Sequence, residues 1–316
     1  MRKILAIVLA AMMVLSLAAC SSSGDTEEKI IKIGIAAPEA TTDFLAGAAY
    51  SADKFCRDSE LEYLFTTASD AEEMTANLHD LVEWGATIIV TWPQWGGVED
   101  AVQEIIDSGV IVVSFDADIA CEGIYKVTGD NYDLGYRCAE HITQTVGEIA
   151  NIVVLDVPSE SACAQRKVGF YDYMDEVGYD TSNILEFQLD SFSREEGRAA
   201  MAQILDNVPQ VDAVFSMDDE TSIGCIEAIR AVGRSDVKAI TGGGGRQEYF
   251  RMIADEQYAD LGLATMLYSP TMVNTAIRNG INVLNEKDVE PVQVIPATVV
   301  TAKNVADYLD EDNTAY

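Results

Sequence analysis

The chain has 316 residues, of which 20 are Lys or Arg and 53 are Asp or Glu, so its formal net charge is −33. An acidic excess of this size repels polyanions and excludes nucleic acid as a partner. The length is sufficient for two domains that each bury a core of their own.

The first residues have the pattern of a cleavable export signal. Arg2 and Lys3 form a charged start, and residues 4–15 are apolar but too few to span a bilayer. The stretch ends in Leu17-Ala18-Ala19-Cys20, where small residues precede a Cys. We predict a lipoprotein signal peptide over residues 1–19 and lipidation of Cys20. A transmembrane anchor with an incidental Cys is disfavoured, because polar and acidic residues follow at once.

The segment after the predicted cleavage site is polar. Residues 20–29 are too few and too hydrophilic to form a core, so we expect a tether. No later apolar stretch of the sequence approaches membrane-spanning length. The expected location is extracytoplasmic, with the folded part anchored by lipid to the outer face of the cell membrane or held in the periplasm.

From Ile30 onward, apolar runs of strand length alternate with amphipathic stretches of helical length. The first series predicts strands at residues 31–36, 62–66, 87–91, 110–115 and 124–128, and helices at residues 43–57, 71–84 and 98–107. Such β-α-β units predict a parallel sheet that is covered by helices on both faces.

A polar segment, Gly129-Asp130-Asn131-Tyr132, ends this series and marks a predicted lobe boundary. The second series predicts strands at residues 151–156, 184–189, 213–217, 237–241, 260–264 and 292–300, and helices at residues 134–146, 164–176, 194–207, 222–232, 247–255 and 271–284. The predicted fold class is therefore α/β, with two doubly wound parallel-sheet lobes.

The residues that follow strands are the candidates for a binding site, because ligands of open parallel sheets lie beyond the carboxyl ends of the strands. In the first series these are Thr41, Thr42, Phe44, Trp92, Trp95, Asp116 and Asp118. The second series adds Arg166, Phe192, Asp218, Gly243 and Tyr268. One of the two tryptophans is expected to face a sugar ring, with core packing as the alternative for both.

The charged candidates favour a polyhydroxylated or cationic ligand. The carboxylates of Asp116, Asp118 and Asp218 can accept hydrogen bonds from hydroxyls or an amine. The guanidinium of Arg166 can donate several hydrogen bonds to one ligand. One of Asp218 and Asp219 is expected to cap the helix that follows, which leaves the other for the cleft.

Signals of other kinds of site are incomplete. The run Gly242–Gly245 lacks the Lys and Ser or Thr that end a phosphate-binding loop, so we expect a tight strand-to-helix turn there. His79 and His141 have no partner at metal-ligand spacing, and no nucleophile has a matched histidine base. No metal, cofactor or catalytic residue is predicted. The five cysteines after Cys20 form no CxxC pair, so we expect free, mostly buried thiols.

The order of these motifs resembles the periplasmic sugar-binding proteins of the ribose-binding type, from Ile30 to Lys303. Asp116 in Val-Ser-Phe-Asp is similar to the family's sugar-binding Asp, and Arg166 in Arg-Lys-Val-Gly-Phe to its cleft Arg. Phe192 resembles an aromatic lid residue, and Asp218 resembles a sugar-binding Asn or Asp.

The resemblance implies the solute receptor of an ABC importer, which closes on a small polar ligand, a sugar or related polyol, and delivers it to a permease. The hinge would be three crossing strands near Asp130, Met266–Ser269 and Ile295. The implied lobes are residues 30–130 with 268–294, and residues 131–267 with 295–316. We expect a monomer that is not an enzyme and is held at the membrane by its lipid.

Three features depart from the family pattern. The family's aromatic pair in the first loop is replaced near Ala40-Thr41-Thr42, although Trp92 and Trp95 could compensate from the next loop. Gly243 stands where the family usually has an Asp, and Ala117 follows Asp116 where the family often has Arg or Ser. Two alternatives stay open: a ligand-sensing subunit for a membrane signalling protein, and a glycan-cleaving enzyme that uses Asp116 and Asp218 as paired carboxylates. A cytoplasmic repressor of the same fold is excluded, because the predicted export signal stands in place of a helix-turn-helix.

Overall fold

The structure is a computed structural model that describes residues 29–147 and 150–310. The predicted signal peptide, Cys20 with its predicted lipidation and most of the predicted tether lie outside these residues. Within them, no helix is both long and apolar enough to cross a membrane.

The first of two sheets is parallel throughout the described residues. Its strands are β1 (Lys32–Pro38), β2 (Glu62–Ala68), β3 (Ile88–Thr91), β4 (Ile111–Phe115), β5 (Tyr125–Gly129) and β11 (Val292–Ile295). Their spatial order is β11-β5-β4-β3-β1-β2, so the chain reverses its direction of winding at β1.

The second sheet repeats this arrangement. Its strands are β6 (Ile152–Asp156), β7 (Ile184–Gln188), β8 (Ala213–Phe215), β9 (Ala239–Gly244), β10 (Leu263–Leu267) and β12 (Val299–Thr301). The spatial order is β12-β10-β9-β8-β6-β7, and the pairs are parallel except that β12 runs antiparallel to β10.

Helices connect the strands on both sides of each sheet. They are α1 (Asp43–Asp58), α2 (Ala71–Trp84), α3 (Glu99–Asp107), α4 (Asn131–Val146), α5 (Ser161–Glu176), α6 (Arg194–Asn207), α7 (Asp219–Val232), α8 (Gln247–Ala254) and α9 (Val273–Leu284). Short 3-10 helices lie at Thr181–Asn183, Glu256–Leu261, Pro270–Met272 and Val305–Asp307.

The inner strands β1, β3 and β4 of the first sheet are buried on both faces. Ile35 of β1 lies in one apolar cluster with Leu45 of α1 and Ile277 of α9. The next residue, Ala36, points to the other face and joins Leu81 of α2 in a second cluster. Burial of both faces explains why these strands read as continuous apolar runs.

The described chain crosses from one sheet to the other after Gly129, after Leu267 and after Ile295. Each crossing leaves the carboxyl end of a strand, so the carboxyl ends of both sheets lie near the crossings. The backbone N–H of Asp130 donates to the carbonyl oxygen of Ile295 at 2.9 Å, which joins two of the crossings. The predicted fold class, two doubly wound parallel-sheet lobes joined by crossing segments, is confirmed.

Two strand predictions near the end of the chain are wrong. The strand predicted at residues 292–300 is two strands, β11 in the first sheet and β12 in the second. Pro296 stands between them and has no N–H to donate to a ladder, so the chain leaves one sheet there. The strand predicted at residues 260–264 is Leu263–Leu267 instead, because a 3-10 helix continues to Leu261.

The predicted turn at Gly242–Gly245 is also wrong for most of its length, because β9 continues to Gly244. These glycines allow a close approach of the backbone to a neighbouring loop. A Cβ on Gly242 would lie 2.2 Å from Oδ1 of Asp219, and a Cβ on Gly243 would lie 2.7 Å from the carbonyl oxygen of Met217. A side chain at either position would have no room.

Candidate functional site

Asp116 follows β4 directly and has a left-handed backbone conformation, with φ of 51°. Non-glycine residues adopt this region rarely, and such positions cluster at functional sites. Its Oδ1 accepts hydrogen bonds from the hydroxyl of Tyr268 at 2.5 Å and the hydroxyl of Thr128 at 2.8 Å. Burial raises the pKa of Asp116, and these two hydrogen bonds oppose that shift. The carboxylate is therefore held from two separate segments of the chain.

Tyr268 lies on the second crossing and is only 5% exposed. Besides donating to Asp116, its hydroxyl accepts a hydrogen bond from Nδ2 of Asn131 at 3.2 Å. Burial and the neighbouring Asp116 carboxylate raise the pKa of Tyr268, so the phenol stays protonated. It links Asp116, at the end of the first sheet, to Asn131, at the start of α4.

Arg166 of α5 extends this network on the side of the second sheet. The residue is 7% exposed, and its Nε donates to Oδ1 of Asn131 at 2.9 Å while Nη1 donates to the carbonyl oxygen of Met217 at 2.7 Å. The guanidinium also lies over the ring of Tyr268, with Cζ 5.1 Å from the centroid. These hydrogen-bond partners of Arg166 are neutral, so they do not cancel its charge. The guanidinium therefore places a buried positive charge at the crossing region.

Two glycines explain how Arg166 comes so close to the start of α4. A Cβ on Gly135 of α4 would lie 1.8 Å from the carbonyl oxygen of Arg166, and a Cβ on Gly169 of α5 would lie 2.0 Å from that of Tyr132. The backbones of the two helices are therefore in contact. This contact brings the Arg166 side chain within reach of Asn131.

Asp218 caps α7, as expected for one of the two adjacent acids. Its Oδ1 accepts from the backbone N–H groups of Glu220 at 2.8 Å and Thr221 at 3.3 Å. Burial, followed by the charge of Asp219, raises the pKa of Asp218 to about 7. A cap with so high a pKa can be either an acceptor or a donor near neutral pH.

The expectation that the second acid is free for the cleft is wrong. Asp219 is fully buried, and its Oδ2 accepts from the backbone N–H groups of Gly245 and Arg246 at 2.7 and 2.8 Å. Its Oδ1 accepts from the hydroxyl of Thr265 at 2.6 Å. The side chain joins α7 to the middle of β10 and to the segment just after β9, which is a structural role.

Aromatic rings surround the polar network. The ring of Phe44 lies 5.8 Å from that of Tyr268 and 6.1 Å from that of Phe115, and Phe192 lies 5.9 Å from Cζ of Arg166. Trp92 packs edge-on against Phe115 at 5.7 Å and is only 1% exposed. Its Nε1 has no hydrogen-bond partner among the described residues.

The remaining candidates lie apart from this network. Trp95 is half-buried against the apolar cluster beneath α2 and α3, and the side chain of Asp118 is 88% exposed and pairs with Lys126. Thr42 caps α1 by accepting from the N–H of Leu45 at 3.3 Å, and Thr41 beside it is exposed. Gly243 lies within β9, where its backbone contacts the loop after β8.

Sequence reasoning missed two members of the network, Thr128 and Asn131. Both flank the first crossing, which the sequence identified as a break between the two series. Thr128 is the second-last residue of β5 and Asn131 begins α4, so the rule that selected Asp116 could have selected them as well. The sequence pattern predicts only a connection between the two series at this point, and it gives no separate signal for the polar side chains there.

The other reactive side chains of the described residues have structural surroundings. Cys56, Cys121, Cys138, Cys163 and Cys225 are free thiols, and all but Cys121 are buried, as predicted. Burial raises the pKa of each of them. No group of three or more metal-binding side chains is present in this part of the chain.

Two facing α/β lobes with a polar network at the carboxyl ends of their strands define a type I periplasmic binding protein. The chain matches the model of the periplasmic binding protein domain family over residues 33–288, and it belongs to that family. The resemblance seen in the sequence is confirmed. The family consists of solute-binding proteins rather than enzymes, and membership implies an extracytoplasmic location.

Relatives and solved structures agree with this assignment. The chain is 26% identical over 289 residues to the ribose import binding protein of Bacillus subtilis, with 90% of each chain covered. It is 29% identical to the Escherichia coli ribose import binding protein over 61% of this chain and 64% of that one.

Among solved structures, an Actinobacillus succinogenes solute-binding protein with bound D-allose has a TM-score of 0.74 at 16% identity, covering 88% of this chain and all of that one. A Bacillus halodurans solute-binding protein with bound myo-inositol has the same TM-score at 20% identity, with 90% of this chain and 98% of that one covered. These two similarities show the fold.

Proposed function

We propose that this chain is the solute receptor of an ABC importer and binds a small sugar or polyol between its two lobes. The observation that carries the proposal is the network of Asp116, Tyr268, Asn131 and Arg166, which joins the carboxyl ends of both sheets. The names of the relatives, import binding proteins for ribose and other sugars, support the same class of ligand.

The side chains of the network match the chemistry of a polyhydroxylated ligand. Asp116 has a second oxygen, Oδ2, to accept from ligand hydroxyls, and Arg166 supplies donors from a guanidinium that is already desolvated. Phe44 and Phe192 flank them with aromatic faces that can pack against the apolar face of a sugar ring. Asp218, with its pKa near 7, adds a group that can donate or accept.

The mechanism follows from the three crossings. Rotation about them would move the two sets of strand ends apart or bring them together. When they come together, the lobes close over the ligand and bury its polar groups against prepositioned partners. We propose lobes of residues 30–130 with 268–294, and of residues 131–267 with 295–316. The closed form would dock on the permease as a monomer.

Lipidation of Cys20 would keep the receptor beside its permease. A tether on a membrane anchor would hold the receptor close to the membrane and so raise its effective concentration at the permease. The acidic, polar segment of residues 20–29 would then act as the spacer.

A binding screen tests the proposal. Purified protein is heated with pentoses, hexoses, pentitols, hexitols and cyclitols, and a ligand of the native state raises the unfolding midpoint. Affinity is then measured by calorimetry. Failure of every sugar and polyol to bind would overturn the proposed function.

Substitutions test the site. Asp116→Ala and Arg166→Lys are each expected to weaken binding by about 10- to 100-fold, because each removes charged hydrogen bonds to the ligand. Asp118→Ala is the matched control, since this exposed acid lies two residues beyond Asp116 and pairs with Lys126. Unchanged affinity in both site variants would show that the ligand binds elsewhere.

A further inference from the structure

Tyr268 stands between the two groups that the proposed function assigns to the ligand. Its hydroxyl lies 2.5 Å from Oδ1 of Asp116, and its ring centroid lies 5.1 Å from Cζ of Arg166. The phenol therefore takes one carboxylate oxygen and covers one side of the guanidinium. A ligand that reaches both groups must pass beside this ring.

The ring is fixed in this position. A Cβ on Gly129 would lie only 2.3 Å from Cε2 of Tyr268, so the ring lies directly on the backbone at the end of β5. Asn131 donates to the hydroxyl, and Phe44 packs against the ring at 5.8 Å. These contacts, with only 5% of the residue exposed, hold the ring in place.

We propose that Tyr268 is a specificity-determining residue that shortens the ligand cleft at its hinge end and selects pentose-sized ligands over hexose-sized ones. The inference rests on the proposed function. The reason is volume: a fixed six-membered ring with a hydroxyl fills the space that the additional CH₂OH group of a hexose needs. The same hydroxyl engages Oδ1 of Asp116, which leaves Oδ2 for the sugar.

The test compares ligands that differ by one hydroxylated carbon. D-ribose and D-allose form one pair and xylitol and sorbitol another, and dissociation constants are measured by calorimetry for the wild type, Tyr268→Phe, Tyr268→Leu and Tyr268→Ala. The wild type is expected to prefer the smaller member of the pair it binds at least tenfold. Tyr268→Ala and Tyr268→Leu, which remove the ring, should reduce that preference at least tenfold.

Tyr268→Phe is the control that separates the ring from the hydroxyl. It keeps the volume, so it should keep the size preference within about threefold even if both ligands bind more weakly. Thermal unfolding checks that each variant is folded, and Tyr268→Leu supplies the answer if Tyr268→Ala does not fold.

The outcomes distinguish the two proposals. If the wild type binds neither these four probes nor any other sugar or polyol of the binding screen, the proposed function fails. If it binds them but ring removal leaves the size preference unchanged, Tyr268 has only a structural role and this inference is overturned while the receptor function stands. An equal change in Tyr268→Phe would assign selectivity to the hydroxyl and would also overturn the argument from volume.

Discussion

Two opposing effects act on the pKa of Asp218. As the N-cap of α7 it accepts two backbone N–H groups, which favours the carboxylate. Burial and the neighbouring Asp219 disfavour the carboxylate more strongly, and the pKa rises from 3.8 to about 7. The folded protein therefore binds a proton at Asp218 between about pH 4 and pH 7 that the unfolded chain releases.

Replacement of Asp218 should reveal this proton as a pH dependence of stability. A folded-state pKa above the unfolded value contributes stability that is present below the unfolded pKa and is lost as pH rises through about 7. Asp218→Asn keeps a good cap and mimics the neutral acid. Relative to the wild type, we expect its free energy of unfolding to rise by about 1–2 kcal/mol between pH 5.5 and 8.

Urea unfolding of both proteins at the two pH values measures that difference. Asp212→Asn is the control, at another acid whose carboxylate accepts a backbone N–H, that of Asn151 at 2.7 Å. A difference for Asp218→Asn that is independent of pH would mean that the carboxyl group is already ionised at pH 5.5.

At the residue scale, the sequence selected Asp116 and Arg166, which the structure joins in one network, but it did not predict the contacts that hold them. Asp116 and Arg166 were identified because they lie at strand ends or on the helices that follow. The contact between Tyr268 and Asp116 joins residues 152 positions apart. No periodic pattern encodes such a contact, because it depends on how the crossings bring the two sheets together.

At the scale of elements, the contact between α4 and α5 controls the position of Arg166. Gly135→Ala would place a Cβ 1.8 Å from the carbonyl oxygen of Arg166, and backbone cannot yield as a flexible side chain can. We expect a loss of about 3 kcal/mol in the free energy of unfolding, together with weaker ligand binding, because α5 must move away from Asn131.

Gly96→Ala is the matched control for this prediction. Its added Cβ would have its nearest contact at 3.8 Å, with a carboxylate oxygen of Glu99. It should change stability by less than about 0.5 kcal/mol. Urea unfolding and calorimetry measure both effects, and a Gly135→Ala protein with wild-type affinity would separate the helix contact from the site.

Elements with strong local signals were predicted almost to the residue. The helices Ala71–Trp84 and Arg194–Asn207 have the predicted bounds, and Asp70 and Ser193 cap them through hydrogen bonds to the third residue of each helix. The errors lie where distant packing decides. The glycines of β9 extend a strand because they pair with β10, and the last predicted strand divides because its two halves pair with different sheets.

At the scale of the whole molecule, an ion pair connects the two sides of the site. Nη1 of Arg246, after β9 of the second sheet, lies 2.5 Å from Oδ2 of Asp43, at the start of α1 beside the first sheet. Nε of the same guanidinium lies 2.6 Å from Oε1 of Glu220, and its side chain is 13% exposed. Arg246 is thus fixed on one lobe and contacts an exposed acid of the other.

If the lobes open about the crossings, this pair must separate, so its energy should oppose release of the ligand. Asp43→Asn is expected to increase the dissociation rate about two- to fivefold with little change in the association rate, which corresponds to the modest energy of an exposed ion pair. Because the pair is exposed on the Asp43 side, the difference from the wild type should shrink between 50 and 500 mM NaCl.

Stopped-flow measurement of ligand release tests this, with Asp58→Asn as the control. Asp58 lies at the other end of α1 and pairs with Lys54 of the same helix, so its loss leaves the contact between lobes intact. Both substitutions remove one negative charge from a chain with a net charge of −33. A general effect of charge would therefore change the rate of ligand release equally in the two variants. A faster release in Asp43→Asn alone would mean that closure of the two lobes is stabilised by a contact outside the ligand site.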